Sequence, residues 1–341
     1  MTVNAPPRGP RRPGGDSAGD ATSSRHRRSA RRSLARGNKG GLSRNAGSDV
    51  RAAYLFIAPA IIGFTVFVVY PLIRSFYLAL TKYNGLTDPV FIGFDNFRRL
   101  FTVDPAFWPS LRATGYLVVL YVPLSLALGL ALAMFCNQRF AGVRIVRTLA
   151  YLPVVLPAIA TITLWKFILN PQVGLMNTIL DKLHLPTSSW LASPSMSMPS
   201  IVIVMLWGVG STMIIFLAAL QAVPTELYEA ARVDGAGPAS VFFRITMPMI
   251  SPIMLLQVIL QTTAALQTFN QPKILTDGGP GFSTNVLMLS IYKNGFSNLG
   301  RVPQLGYASA QVWVLFILII AVIALTARFS SLWTYSDNTP D

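Results

Sequence analysis

Two groups of polar residues interrupt a chain that is otherwise strongly apolar, and each carries a different chemistry. In the first, Glu226, Glu229, Arg232 and Asp234 crowd together beside the small pair Ala230 and Ala231, with Gly235 next and Pro248 closing the stretch. Charges of both signs around small residues suit docking against another protein better than catalysis. In the second, Gln257, Gln261, Ala264 and Thr268 fall on one narrow stripe of a helix, with Gln267 and Asn270 lying off it. A row of uncharged amides and a hydroxyl can both donate and accept hydrogen bonds, which fits a sugar. Trp207, with Gly208 and Gly210 beside it, could add a flat aromatic face and room for a pyranose ring. The same amides could equally hold helices together, and Trp207 could simply pack against lipid or protein; the residues leave both readings open.

Other chemistries lack the groups they need. Cys136 is the single cysteine, so no intramolecular disulfide or zinc cluster can be built, and His26 and His184 are too far apart for a metal site or a triad. There is no G-x-x-x-x-G-K-[ST] phosphate cradle, so the chain is not itself an ATPase. The apolar runs hold no Asp or Glu of the kind a proton relay uses. That weighs against a stand-alone secondary transporter or channel for a small polar solute, the alternative reading.

The elements that must position the first group are short. Pro224 with Thr225 reads as a helix start, the Thr hydroxyl being able to accept a bond from an unpaired backbone N–H, and Glu226 and Glu229 sit where the helix dipole favours anions. Gly235 ends that helix, and Gly237-Pro238 starts a second. The result is a compact knob with a glycine elbow.

Around this island the chain is built to cross a membrane. Apolar residues make up 52% of it and charged residues 12%, the balance of a polytopic membrane protein. Six apolar runs are expected to span: 54–80, 114–135, 145–169, 201–222, 253–269 and 307–329. The fifth is the shortest and most polar. Pro153 and Pro157, four apart on one face of the third run, mark the expected distortion.

Most of the net charge of +15 sits in residues 1–51, where twelve Lys and Arg face Asp16, Asp20 and Asp49, leaving +6 for the rest. This tail, rich in Arg, Gly, Pro and Ser, is expected to be disordered, either a solvated segment that only fixes topology or one attracted to anionic lipid, and it does not read as a signal peptide; nucleic-acid binding ranks below both. Counting Lys and Arg in the connections puts Arg139, Arg144, Arg147, Arg232, Arg244 and Arg328 on the side of the tail, with Arg301 among those spread over the longer loops of the opposite side. Both termini, the 331–341 segment and the island at 223–250 are therefore expected in the cytoplasm.

Read as a pattern, the island is Glu229-Ala230-Ala231, three residues, Gly235, nine residues, then Ile245-Thr246-Met247-Pro248. It resembles the cytoplasmic coupling loop of permease subunits of binding-protein-dependent ABC importers, departing only at Met247, where the family usually has Leu. Tyr70-Pro71-Leu72, Phe91-Ile92-Gly93-Phe94-Asp95-Asn96-Phe97 and Leu275-Thr276-Asp277-Gly278-Gly279-Pro280 are similar to stretches of the carbohydrate branch, the one with maltose and glycerol-phosphate permeases. The resemblance covers residues 54–330. It implies an all-α membrane protein, a six-span permease domain over 52–330 with a coupling-helix loop between spans four and five, in a bacterial plasma (inner) membrane. It also implies a second related permease, two ATPase subunits that bind ATP and Mg, and an extracytoplasmic sugar-binding protein, with no cofactor or catalytic residue in this chain.

Overall fold

The computed structural model describes residues 46–138, 140–296 and 302–330. The expected tail up to residue 45, the 331–341 segment, Arg139 and Arg301 lie outside the described residues. The chain divides into two compact units, residues 1–71 and 72–341. Helix α1 (Ala46–Phe64) begins inside the stretch expected to be tail, so residues 46–51 are helical. A π-helical turn (Thr65–Val69) follows it, and then helix α2 (Tyr70–Ala79). The turn sits immediately before Tyr70-Pro71. A ring closed by i→i+5 bonding accommodates the donor that proline lacks.

In the second unit, helix α4 (Phe107–Cys136) is the central strut, preceded by the short α3 (Asp95–Thr102). Its inward face carries small residues, among them Ser110, Ala113, Ser125, Gly129 and Ala133. These let neighbouring helices approach closely: a Cβ on Gly129 would come within 2.7 Å of Thr212 Cγ2. At the far end of α4, Leu130, Ala133 and Cys136 pack with Met213, Phe216, Leu220 and Ile250. Arg147 closes that end by donating twice to the Cys136 carbonyl, at 3.2 Å from Nε and 2.6 Å from Nη2.

Among the described residues, four helical stretches are long and apolar enough to cross a membrane, residues 53–79, 107–136, 238–275 and 305–328, and two bent pairs would raise the number to six. The third expected span is one of these pairs: α5 (Val143–Val155) and α6 (Ala158–Ile168) meet at 100°. Pro157 causes the break, since the residue before a proline is pushed out of the helical region, and Leu156 is extended with φ −72° and ψ 146°. Pro153 is accommodated inside α5. The fourth expected span is likewise two helices, α8 (Ser197–Leu206) and α9 (Gly210–Ala222), bent by 51°; α7 (Leu175–Lys182) lies between the two pairs in sequence.

The fifth span departs most from expectation. It does not begin near residue 253 but runs on from the island, as α11 (Pro238–Val241), a second π-helical turn (Phe242–Thr246) and α12 (Met247–Leu266), then reaches α13 (Asn270–Leu275). Again the π turn immediately precedes an X-Pro pair, here Met247-Pro248. Helices α14 (Leu287–Phe296) and α15 (Leu305–Ser330) pack on each other to complete the unit.

One small strand pair interrupts the all-helical expectation: β1 (Thr81–Lys82) and β2 (Val90–Phe91) are antiparallel, with Thr81 opposite Phe91. Asn96, from the Phe91–Phe97 stretch, is buried and donates to the Ala79 and Thr81 carbonyls at 2.8 and 2.9 Å. The motif thus fastens the end of α2 to α3.

Candidate functional site

The island folds as two helices around an elbow. Helix α10 (Thr225–Val233) starts where expected, but no side chain caps it: Pro224 occupies the cap position and Thr225 is already helical. Gly235 ends it with φ +70°, a conformation that disfavours residues with a Cβ. Ala236 N–H donates to the Ala231 carbonyl at 2.9 Å and Gly235 N–H to the Arg232 carbonyl at 3.2 Å. This pair of bonds is the Schellman arrangement, which satisfies the last carbonyls of the helix. Gly237 then precedes Pro238 at the first turn of α11, as the sequence indicates.

Along α10, Glu226, Leu227, Glu229, Ala230, Arg232 and Val233 are exposed, and Asp234 and Gly235 continue that surface. Only Tyr228 and Ala231, one turn apart, point inward. Among the described residues, Glu226, Glu229, Arg232 and Asp234 form no ion pair. Pro248 is half-buried in the first turn of α12. Sequence reasoning missed Tyr228 and Thr246, whose hydroxyls lie 3.2 Å apart. The spacing of Tyr228 three residues before the buried Ala231 is the signal that marks it as inward-facing.

The amide stripe does not form one open path. Gln257 is buried, and Gln261 sits between three helices. Tyr121 on α4 donates to Gln261 Oε1 at 3.2 Å, while Gln261 Nε2 donates to Thr212 Oγ1 on α9 at 2.6 Å and reaches Gln257 Oε1 at 3.5 Å. The Gln257 Nε2 group has no hydrogen-bond partner among the described residues. Thr268 is also buried and bonds back to the Ala264 carbonyl at 3.0 Å, where α12 has ended. Ala264 is exposed, and so are Gln267 and Asn270, which lie off the stripe. Together with Leu256 and Leu260 they make one exposed face of the fifth span.

Trp207 lies at the bend between α8 and α9, 38% exposed, with its ring edge-on to Trp165 at 5.7 Å. A cavity of about 190 Å³ opens there, between the breaks of the third and fourth spans, lined by Thr161, Met205, Trp207, Gly208 and Gln271 among others. Irregular backbone at membrane depth is tolerated where it lines such a space. Gln271 and Thr161 were not singled out from the sequence, because the broken helices that bring them together are not visible in hydropathy.

The Leu275–Pro280 stretch closes into a polar loop after α13. Lys273 Nζ lies 2.9 Å and Lys293 Nζ 3.6 Å from Asp277 Oδ1, and Lys293 also donates to the Asp277 carbonyl at 2.6 Å. Burial alone would raise the Asp277 carboxyl, but the two ammonium groups outweigh it and hold the acid below its ordinary range. Gly278 has φ +86°, and a Cβ there would strike Asn285 Oδ1 at 2.8 Å and Lys293 Nζ at 3.0 Å.

Comparison with known proteins adds a family. A family model described as "Binding-protein-dependent transport system inner membrane component" matches residues 125–338. The Sulfoquinovosyl glycerol transport system permease protein SmoG of Agrobacterium fabrum is 36% identical over 284 residues, 82% of this chain and 90% of that one. The Trehalose/maltose transport system permease protein MalF of Thermococcus litoralis is 32% identical over 275 residues, 80% of this chain and 91% of that one. Among solved structures, a chain of a bacterial alginate ABC transporter, in complex with alginate pentasaccharide-bound periplasmic protein, superposes with a TM-score of 0.72. It is 23% identical and matches over 84% of this chain and 97% of its own. That likeness establishes the fold.

Proposed function

Because the chain belongs to the family of binding-protein-dependent transport system inner membrane components, we propose that it is one of the two permease subunits of an ATP-driven carbohydrate importer. The chain is a multi-pass, mainly helical membrane protein, and its relatives are transport permeases. Each bent helix pair counts as one crossing in this reading, which gives six spans over residues 52–330 and places residues 223–250, both termini and the basic tail in the cytoplasm. Carbohydrate is favoured because SmoG and MalF, by name, carry sulfoquinovosyl glycerol and trehalose or maltose.

The observation that carries the reading is the hairpin. Its first helix turns a charged face outward, with no ion pair among the described residues, and its second helix runs on without interruption into the fifth span. A cytosolic ATPase bound to Glu226, Glu229, Ala230, Arg232, Asp234 and Gly235 would therefore be placed to move α12, with Pro248 in its first turn. ATP and Mg would be held by that ATPase, present as two copies, and this chain would have no catalytic residue. A second, related permease would complete the translocation path, and an extracytoplasmic binding protein would deliver the sugar.

The substrate side rests on the exposed Gln267 and Asn270 and on the cavity beside Trp207. Gln257, Gln261 and Thr268 face inward and would shape that path from behind it. The experiment is purification of the intact complex from membranes, followed by identification of its components. The reading expects a Walker-motif ATPase, a second permease and an extracytoplasmic binding protein; a stable complex without an ATPase would refute it.

A further inference from the structure

We infer that the Tyr228–Thr246 hydroxyl pair is the strut through which the hairpin drives the fifth span. The inference rests on the reading that the hairpin docks an ATPase, and it names the two residues that transmit the motion. A force applied to α10 can reach the rest of the chain by few routes. The covalent route to the fifth span passes through the elbow at Gly235, with φ +70°, and Gly237. The packing route is narrow, because only Tyr228 and Ala231 of α10 point inward. Beside these residues a cavity of about 380 Å³ is lined by Met134, Arg232, Ala236 and Phe242, with Tyr228 and Thr246 themselves in its wall.

The direct polar link between α10 and the fifth span is the hydroxyl pair. It bridges 18 residues at 3.2 Å and ends on Thr246, 6% exposed, the last residue of the π-helical turn. A π turn beside a proline is a compliant point in a helix, having lost regular bonding. By landing on Thr246, the bond bypasses both the glycine elbow and the bulk of the π turn and meets α12 at its first residue, Met247. The Tyr228 ring has few rotatable bonds and packs at the edge of the cluster around Leu130, Phe216 and Ile250. It is thus a positioning residue with a rigid arm.

The test uses the intact complex in liposomes with nitroxide labels, since Cys136 is the single cysteine and is buried. One label pair joins Val233 and Leu260, and a second joins Leu128 and Leu260, all exposed positions. In the native chain, ATP with vanadate should shift the Leu128–Leu260 distance and leave Val233–Leu260 nearly constant, hairpin and span moving together. Tyr228→Phe should keep the ATPase bound and lower the melting temperature by no more than one lost hydrogen bond accounts for. It should uncouple the two distances and reduce the Leu128–Leu260 population shift about fivefold, the size of one lost hydrogen bond. Thr246→Val should match it, the double variant should be no worse than either, and Thr246→Ser should behave as native. A native complex that lacks an ATPase, or shows no ATP-driven shift, overturns the functional reading and the strut with it. If the native complex shifts and Tyr228→Phe shifts equally, or fails only by releasing the ATPase, the strut alone is wrong.

Discussion

Gly210 lies directly against the backbone of Ala150. A Cβ at position 210 would come within 2.2 Å of the Ala150 carbonyl oxygen and 2.9 Å of Tyr151 Cα, so the second half of the fourth span is seated on the first half of the third. Both obstructing groups are main chain and cannot rotate away.

Gly210→Ala should therefore destabilise the purified chain by about 1–3 kcal/mol, the usual range for overpacking. Gly208→Ala is the matched control, since its nearest obstruction is the Met205 carbonyl at 3.4 Å. Equal melting temperatures for the two variants would show that the close approach is not rigid.

The hairpin face can be tested without disturbing the fold. Glu229 is exposed and has no ion pair among the described residues, so Glu229→Lys should change stability by no more than about 0.5 kcal/mol. ATPase co-purification should nevertheless be lost. Gly235→Ala should cost about 1–2 kcal/mol, all of it from left-handed backbone strain in open space. Retention of the ATPase in Glu229→Lys would remove that residue from the docking surface.

Separating the two roles of the amides needs paired variants. Gln261→Leu removes the bonds to Tyr121 and Thr212 and should lower stability by up to about 1.7 kcal/mol, the upper range for such bonds in membranes. Gln267→Ala and Asn270→Ala, on the exposed face, should leave melting unchanged and impair uptake. Uptake at native rate in both would place the sugar elsewhere.

Asp277 provides a pH test with a definite sign. Its carboxyl is lowered from the ordinary 3.8 by Lys273 and Lys293. The stabilisation is therefore fully present above that value and lost as pH falls through the lowered one. The melting difference between the parent chain and Asp277→Asn should stay constant from roughly pH 8 to 5 and shrink below about 4. It should remain under about 1 kcal/mol, since the acid is largely exposed. A difference that already collapses at pH 5 would contradict the assigned direction.

The sequence announces some of these features and conceals others for physical reasons. The elbow at Gly235 and the start at Pro238 are local turn chemistry, written in adjacent residues and found where they were read. The break at Pro157 follows from the conformation forced on Leu156, but hydropathy averages over it and reports one span. The bend at Trp207 has no proline to announce it; the close seating of Gly210 on Ala150 depends on a helix sixty residues away. Periodicity correctly placed Gln257 and Gln261 on one stripe. Which way the stripe faces depends on Tyr121 and Thr212, polar residues on two other helices, and only the fold brings them within reach.

The unbroken helical stretch from Pro238 to Leu266 holds 29 residues, about 44 Å at about 1.5 Å per residue, against roughly 30 Å of hydrocarbon. About a third of it would stand clear of the oily layer, and in the proposed reading the bilayer would serve as a fulcrum. A slight rocking at the pivot becomes a wide sweep at the protruding tip, and a wide sweep imposed there returns as a small, strong displacement among the amides near the other end.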